Sequence, residues 1–222
     1  MTESNITREY VTHYIRKITP EQKGVLKELE KYAKDYHVPI VQPEVAQLIL
    51  VLAKTVQPMS ILEVGTAIGY SAILLSQTLK PNGKIISIER YDKMIEQAKQ
   101  NIEKAGLEDT IQVVPGEAEE ILAQLEGQFD YIFIDAAKGK YSAFLPHCLR
   151  LLRTGGLLIS DNVLYQGMIA SDKLVVRRKK TIVTRMRQYL HTISHHPQLE
   201  SSIIPIGDGV AVSCKIGRAE DE

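Results

Sequence analysis

From Ser60 onward the chain alternates short apolar runs with helix-length amphipathic stretches, and this alternation restricts its fold more than any other feature. The runs at 60–64, 84–89, 111–114, 129–134 and 155–160 are rich in Val, Ile, Leu and Phe, as strands covered on both faces are. Helical stretches at 69–79, 91–105, 117–125 and 141–152 separate them, so the expectation is a parallel, doubly wound α/β sheet. A long helical stretch is expected over 172–195. Two last runs, 199–205 and 210–216, flank Gly207-Asp208-Gly209 and read as an antiparallel addition at one sheet edge. Ahead of the sheet, 8–18, 21–36 and 44–55 read as helices, with Pro20 and Pro43 at helix starts. The chain is thus read as one domain, 1–222, in which 1–57 form an N-terminal helical extension.

At 222 residues the chain is long enough for one substantial core. Its 27 Lys and Arg balance its 27 Asp and Glu, so no whole-molecule field draws it to nucleic acid or to an anionic surface; any such contact must be local. No apolar stretch approaches the roughly 20 residues of a membrane span. Met1-Thr2-Glu3-Ser4-Asn5 lacks a basic-then-apolar leader, and Cys148 and Cys214 lack metal-ligand spacing. A cytoplasmic location without a membrane partner is the expectation.

In open α/β sheets, ligands bind beyond the carboxyl ends of the strands. The fourth run is followed by Asp135-Ala136-Ala137-Lys138 and the fifth by Asp161-Asn162. Asp135, Asp161 and Asn162 offer three hard oxygen donors, suited to Mg²⁺ or another divalent cation, and Lys138 is placed to remove a proton. Asp and Asn also follow strands simply to make turns, but both clusters together favour metal-assisted chemistry on oxygen. The first run ends in Gly65-Thr66-Ala67-Ile68-Gly69-Tyr70-Ser71. Gly65 would allow a sharp turn beside a ligand, Gly69 a close approach to one, and Ser71 with the following helix start could bind a carboxylate. The spacing is G-x-x-x-G, which argues against the dinucleotide fingerprint. Glu89 closes the second run about 20 residues further on, where an acid accepts from ribose hydroxyls. Gly116-Glu117-Ala118 closes the third, where backbone could meet an adenine edge. Three such ends in succession favour an adenosine-containing cofactor.

Lys173, Arg177, Arg178, Lys179, Lys180, Arg185 and Arg187 form a basic segment without an acid between them. It reads either as a phosphate-contacting surface for an RNA stem-loop, with one unstacked base in the metal pocket, or as a solvated helix face answered by acidic helices such as 91–105. Tyr70, Tyr141 and Tyr165 fall near the expected cleft; Tyr165 suits stacking on a base and suits core packing equally. The six histidines show no metal-ligand spacing.

The motifs E-V-G-T-x-x-G-Y-S, the acid ending the second strand, G-E-A, D-A-A-K-x-x-Y and D-N-V-L stand in an order and spacing that resembles the cation-dependent O-methyltransferases, which include caffeoyl-CoA and catechol methyltransferases. Within that family the chain looks most similar to bacterial tRNA 5-hydroxyuridine methyltransferases. The resemblance implies a Rossmann-like class I methyltransferase fold: a mostly parallel seven-stranded sheet with an antiparallel C-terminal strand. It implies S-adenosylmethionine as methyl donor and Mg²⁺ held by Asp135, Asp161 and Asn162. Val41 and Ser71 would approach the methionine carboxylate; Glu63, Gly65 and Thr66 would line the methionine portion; Glu89 would hold the ribose, and Glu117 and Ala118 would lie by the adenine. Asp135 would serve both cofactor and metal, and Lys138 would be the base. The implied reaction is methylation of the 5-hydroxyl of 5-hydroxyuridine at the tRNA wobble position, giving 5-methoxyuridine. Arg177, Arg178, Lys179 and Lys180 would contact the anticodon stem-loop, and the protein would be a homodimer. A small-molecule catechol or caffeoyl-CoA-type methyltransferase and a non-catalytic cofactor- or RNA-binding module are the alternatives. Caffeoyl-CoA enzymes read D-A-D-K where this chain has Ala137, so one acid of that pattern is missing.

Overall fold

The computed structural model describes residues 5–217. Three helices precede the sheet: α1 (Glu9–Ile18), α2 (Gly24–Tyr36) and α3 (Pro43–Val56). Pro43 occupies the first turn of α3, where its missing N–H costs nothing. Pro20 does not start α2; that helix begins at Gly24, whose φ of 55° only glycine adopts freely.

The body then runs β1 (Ser60–Val64), α4 (Tyr70–Ser76), β2 (Lys84–Glu89), α5 (Asp92–Lys104), β3 (Ile111–Pro115), α6 (Ala118–Gln124), β4 (Phe129–Ile134), α7 (Tyr141–Leu151), β5 (Leu152–Ser160), α8 (Lys180–Ser194), β6 (Leu199–Ile204) and β7 (Val210–Lys215). These strands form one sheet in the order β3-β2-β1-β4-β5-β7-β6. Pairing is parallel from β3 to β5, and β7 runs antiparallel to both β5 and β6. The expected hairpin is present, with its second strand, β7, seated against β5.

Strand alternation divides the core between the two faces of the sheet. Ile61, Tyr131 and Phe133 pack with α3 and α4 on one face, while Leu62, Ile132 and Ile134 pack with α7 and α8 on the other. Each of the six is fully buried, which accounts for the continuous apolar runs in the sequence.

One expected element is shorter than its sequence suggests. Instead of a helix over 172–195, the chain makes two 3₁₀ turns, Asp172–Leu174 and Arg177–Lys179, before α8 starts at Lys180. Arg177, Arg178 and Lys179 therefore lie ahead of the helix. The physical reason lies in the charges: cations crowd what would be the helix start, no acid occupies its first turn and no side chain caps it, so the positive end of the helix dipole is opposed. Among the described residues no helix is long and apolar enough to cross a membrane.

Candidate active site

Strand order reverses between β1 and β4, with β2 on one side of the pair and β5 on the other, and at their carboxyl ends the structure opens a cleft of about 1370 Å³. That exceeds the usual 300–1,000 Å³ of a small-molecule pocket and leaves room for a cofactor and a substrate together. Val41, Gly65, Thr66, Ser71, Glu89, Glu117, Ala118, Asp135, Lys138, Asp161 and Asn162 all line it. Of the residues expected at the cofactor, only Glu63 lies beneath the wall, fully buried.

Register places the two acids side by side. Val64 pairs with Ile134, and Ile134 with Ser160, so Asp135 and Asp161 are each the first residue beyond a paired end. The Asp135 N–H donates to the Val64 carbonyl at 3.0 Å, and the Asp161 N–H to the Ile134 carbonyl at 2.9 Å. Tyr141 braces the pair from below: its buried hydroxyl donates toward the carbonyls of Asp161 (3.0 Å) and Ile134 (3.3 Å). Burial and the Asp161 charge push the Asp135 carboxyl well above the usual range, against the pull of Lys138. Burial likewise raises Asp161, with the charges of Asp208 and Glu44 adding to it, although the Asn162 N–H and Lys138 oppose the shift. Two carboxylates that disfavour each other's charge, with an amide beside them, form a donor set that fits a divalent cation. Among the described residues no group of three His, Cys, Asp or Glu side chains forms a metal cluster.

Gly65 lines the cleft and has a second structural reason to be glycine. Its φ is 107°, and a Cβ there would stand 2.7 Å from the Ala136 Cβ and 3.0 Å from the Asp135 carbonyl oxygen. The glycine lets the β1 loop lie directly against the β4 end, bringing the cofactor loop to the acid pair. Gly69 is a correction: its open side faces Ala98 of α5 at 3.6 Å and does not line the cleft.

Behind that loop runs a buried polar chain. Thr66 and Ser87 share a hydrogen bond of 2.6 Å, and Ser87, the cross-strand neighbour of Glu63, donates to Glu63 Oε2. Glu63 Oε1 is left without a hydrogen-bond partner among the described residues. Burial lifts this carboxyl to about 7, despite the hydroxyls of Ser71 and Ser87 beside it. An orphaned buried acceptor at the cofactor loop fits the cationic amino group of a methionine portion. Glu89 accepts from the N–H groups of Ala67 (3.0 Å), Arg90 (2.9 Å) and Tyr91 (3.0 Å), which fix its carboxylate at the β2 end. Glu117 is exposed at the rim and pairs with Arg90 at 3.3 Å.

Lys138 stands in a 3₁₀ turn after Ala137, whose φ of 50° is left-handed. Its Nζ lies 3.9 Å from Asp208 Oδ2 and 5.4 Å from the centre of the Tyr165 ring. Asp208 is the main residue that sequence reasoning missed, since Gly207-Asp208-Gly209 read only as a turn. Only the fold shows what its flanking glycines meet. A Cβ on Gly207 would meet Val45 at 2.5 Å, and one on Gly209 would meet Leu164 at 2.4 Å, so the turn is wedged between α3 and the Asn162 loop with its acid in the cleft. From the opposite wall, Arg16 of α1 donates to both oxygens of the buried Glu44, at 2.6 and 2.8 Å. Tyr165 is buried and does not line the cleft, so it is no stacking platform for a base.

The basic segment is not answered by α5. Among the described residues only Arg187 of the segment pairs with an acid, Asp172 just ahead of it, at 2.8 Å, while Arg185 and Arg187 also donate to carbonyls of Gly139 and Ile169. Arg177, Arg178 and Lys180 are exposed and form no ion pair among the described residues. None of the four cations expected at RNA lines the cleft; Lys179 approaches it through the Tyr165 ring, 5.4 Å away.

A doubly wound sheet with this strand order, a glycine loop after β1 and an acid pair with a lysine at the β4 and β5 ends is the arrangement of an enzyme that binds its ligands at the strand ends. Comparison with known proteins agrees. The O-methyltransferase family profile matches residues 16–216, and the chain belongs to that family. It is similar to a catechol O-methyltransferase from Niastella koreensis, 35% identical over 74% of this chain and 77% of that one. A caffeoyl-CoA O-methyltransferase from Eucalyptus globulus is 27% identical over 90% of this chain and 85% of its own length. The crystal structure of a Bacillus cereus O-methyltransferase in complex with SAH superposes with a TM-score of 0.82 at 28% identity, covering 93% of this chain and 97% of that one.

Proposed function

We propose that this protein transfers a methyl group from S-adenosylmethionine, with Mg²⁺ or a similar cation, to the 5-hydroxyl of 5-hydroxyuridine at the tRNA wobble position, giving 5-methoxyuridine. When bound, the cofactor supplies an electrophilic methyl on a sulfonium, and the cation supplies charge that favours the ionised hydroxyl of a chelating oxygen pair. Thr66, Ser71 and Glu89 would hold and orient the donor along the β1 and β2 ends, with Glu63 bracing the loop from beneath through Ser87 and Thr66. Asp135, Asp161 and Asn162 hold the cation. Lys138 Nζ, at the mouth of this pair of strand ends, would accept the proton of the substrate hydroxyl.

One observation carries the choice of RNA. Four cations, Arg177 to Lys180, crowd the start of α8 without an acid in its first turn, an arrangement that costs stability unless an anion arrives. The same turn reaches the base through Tyr165. A phosphate backbone is the anion that suits a row of exposed cations beside a pocket for one base. The test is mass spectrometry of tRNA nucleosides from cells lacking the protein. Accumulated 5-hydroxyuridine with loss of its methyl ether supports the reading; an unchanged nucleoside profile contradicts it.

The second reading is a small-molecule catechol methyltransferase, favoured by the similarity to the Niastella koreensis enzyme. The acid pair and lysine serve two phenolic oxygens as well as a 4-carbonyl and 5-hydroxyl. A homodimer belongs to the same proposal. Tyr10, Tyr14 and Ile18 recur every four residues on α1 and are 74%, 63% and 61% exposed, an unpartnered apolar stripe suited to a second copy. Light scattering should report a dimer that Tyr14→Glu dissociates; a wild-type monomer would refute it.

A further inference from the structure

The Tyr165 ring has two ammonium groups against it, Lys138 and Lys179, each 5.4 Å from its centre. Its own placement is strained. Tyr165 has φ 44° and Gln166 φ 57°, and a left-handed backbone is a genuine outlier for a bulky side chain. Such a conformation persists where its surroundings over-determine it, and they gather at functional sites. Here the surroundings are the wedged β6–β7 turn. The Val163 N–H donates to the Gly209 carbonyl and the Leu164 N–H to that of Asp208, both at 2.9 Å, while the Gln166 N–H donates to the Asp208 carboxylate. The other oxygen of that carboxylate faces Lys138. One turn thus sets both the ring and the counter-charge of the lysine.

We propose that Tyr165 is a positioning residue whose ring face, fixed by the Asp208 turn, seats the Lys138 amine over the acid pair and shares that seat with Lys179 of the basic turn. The proposal rests on Lys138 as the base. The ring attracts an ammonium group through its quadrupole, so the face matters and the hydroxyl does not. Tyr165 also packs with Met168 and Val183, and leucine fills that apolar cluster while removing the ring face.

The test compares wild type with Tyr165→Phe and Tyr165→Leu in protein labelled with ¹³C at lysine Cε. Lys138→Arg and Lys179→Arg identify the two resonances. In wild type and the Phe variant both should carry a ring-current displacement; in the Leu variant both should move to the position of exposed lysines. With S-adenosylmethionine, Mg²⁺ and either hydroxylated tRNA or a catechol, the Phe variant should keep kcat within about twofold. The Leu variant should lose about 10- to 100-fold in kcat, the scale of a misplaced catalytic group, with cofactor affinity unchanged. Identical lysine resonances in all three proteins overturn the proposal, as does an undiminished kcat in the Leu variant. Full activity in Lys138→Arg would instead remove the base assignment while the resonances still report the seat. Should Tyr165→Leu fail to fold, Tyr165→Met carries the same test, because an unbranched thioether adapts to the same cluster.

Discussion

The acid pair lines the cleft and the basic turn stands outside it, and the two are built on opposite principles. Asp135 and Asp161 are fixed by strand register, braced by Tyr141 and partly or wholly buried. Arg177, Arg178 and Lys180 stand exposed on a 3₁₀ turn and a helix start, with no acid paired to them among the described residues. The contrast separates chemistry from choice. Geometry that must be accurate to fractions of an ångström rests on the sheet, whereas on the proposed function the contacts to a deformable polyanion would rest on the surface. The Tyr165 ring is where the two meet.

The largest expected effect lies in the buried half. Asp161→Asn should cost about 1,000-fold or more in turnover, since the cation's charge stabilisation is worth several kcal/mol. The same change should raise the melting temperature of metal-free protein, because it removes one of two acids that oppose each other's charge. A metal-free variant that melts lower would break that half of the contrast. Lys138→Ala should lower kcat by about 10²–10⁴-fold while cofactor binding, followed by calorimetry, stays unchanged. Glu63 sharpens the picture through pH. Its folded value near 7 stands above the ordinary 4.5, so between those values the folded chain holds a proton that the unfolded chain has lost. That contribution is fully present below about pH 4.5 and is lost as pH rises through 7, roughly 3 kcal/mol in all for a fully buried group. Thermal melts of cofactor-free protein should therefore show less decline from pH 5 to pH 8 in Glu63→Gln than in wild type. Equal declines would show that Glu63 is not the group responsible.

Much of the buried half was legible because register turns sequence position into spatial position. Runs 129–134 and 155–160 were bounded closely enough that the residues after them fell at adjacent strand ends. Asp208 was not legible, because a Gly-Asp-Gly turn is sufficient reason for its own residues, and only the fold shows Val45 and Leu164 pressing on its glycines. Gly65 was read as a turn at the cofactor site, and it does line the cleft; its close approach to the Asp135 backbone was not legible. The helix over 172–195 failed for an electrostatic reason. Ile182, Val183, Met186, Tyr189 and Leu190 keep the helical period, but the cations ahead of them oppose the dipole that a longer helix would carry. Tyr165 was the hardest to read, since the two lysines at its ring, 27 and 14 residues away, meet it only in the folded chain.

The most direct test of this division offers hydroxylated tRNA and a catechol separately to wild type and to the Arg177→Ala, Arg178→Ala, Lys180→Ala variant, which spares the ring-bound Lys179. The expected result is a loss of about 10- to 100-fold in kcat/KM for tRNA with a shallower salt dependence, and a catechol rate within about twofold of wild type. Equal rates on tRNA for the two proteins, or wild-type enzyme that methylates the catechol and leaves the tRNA untouched, would contradict it.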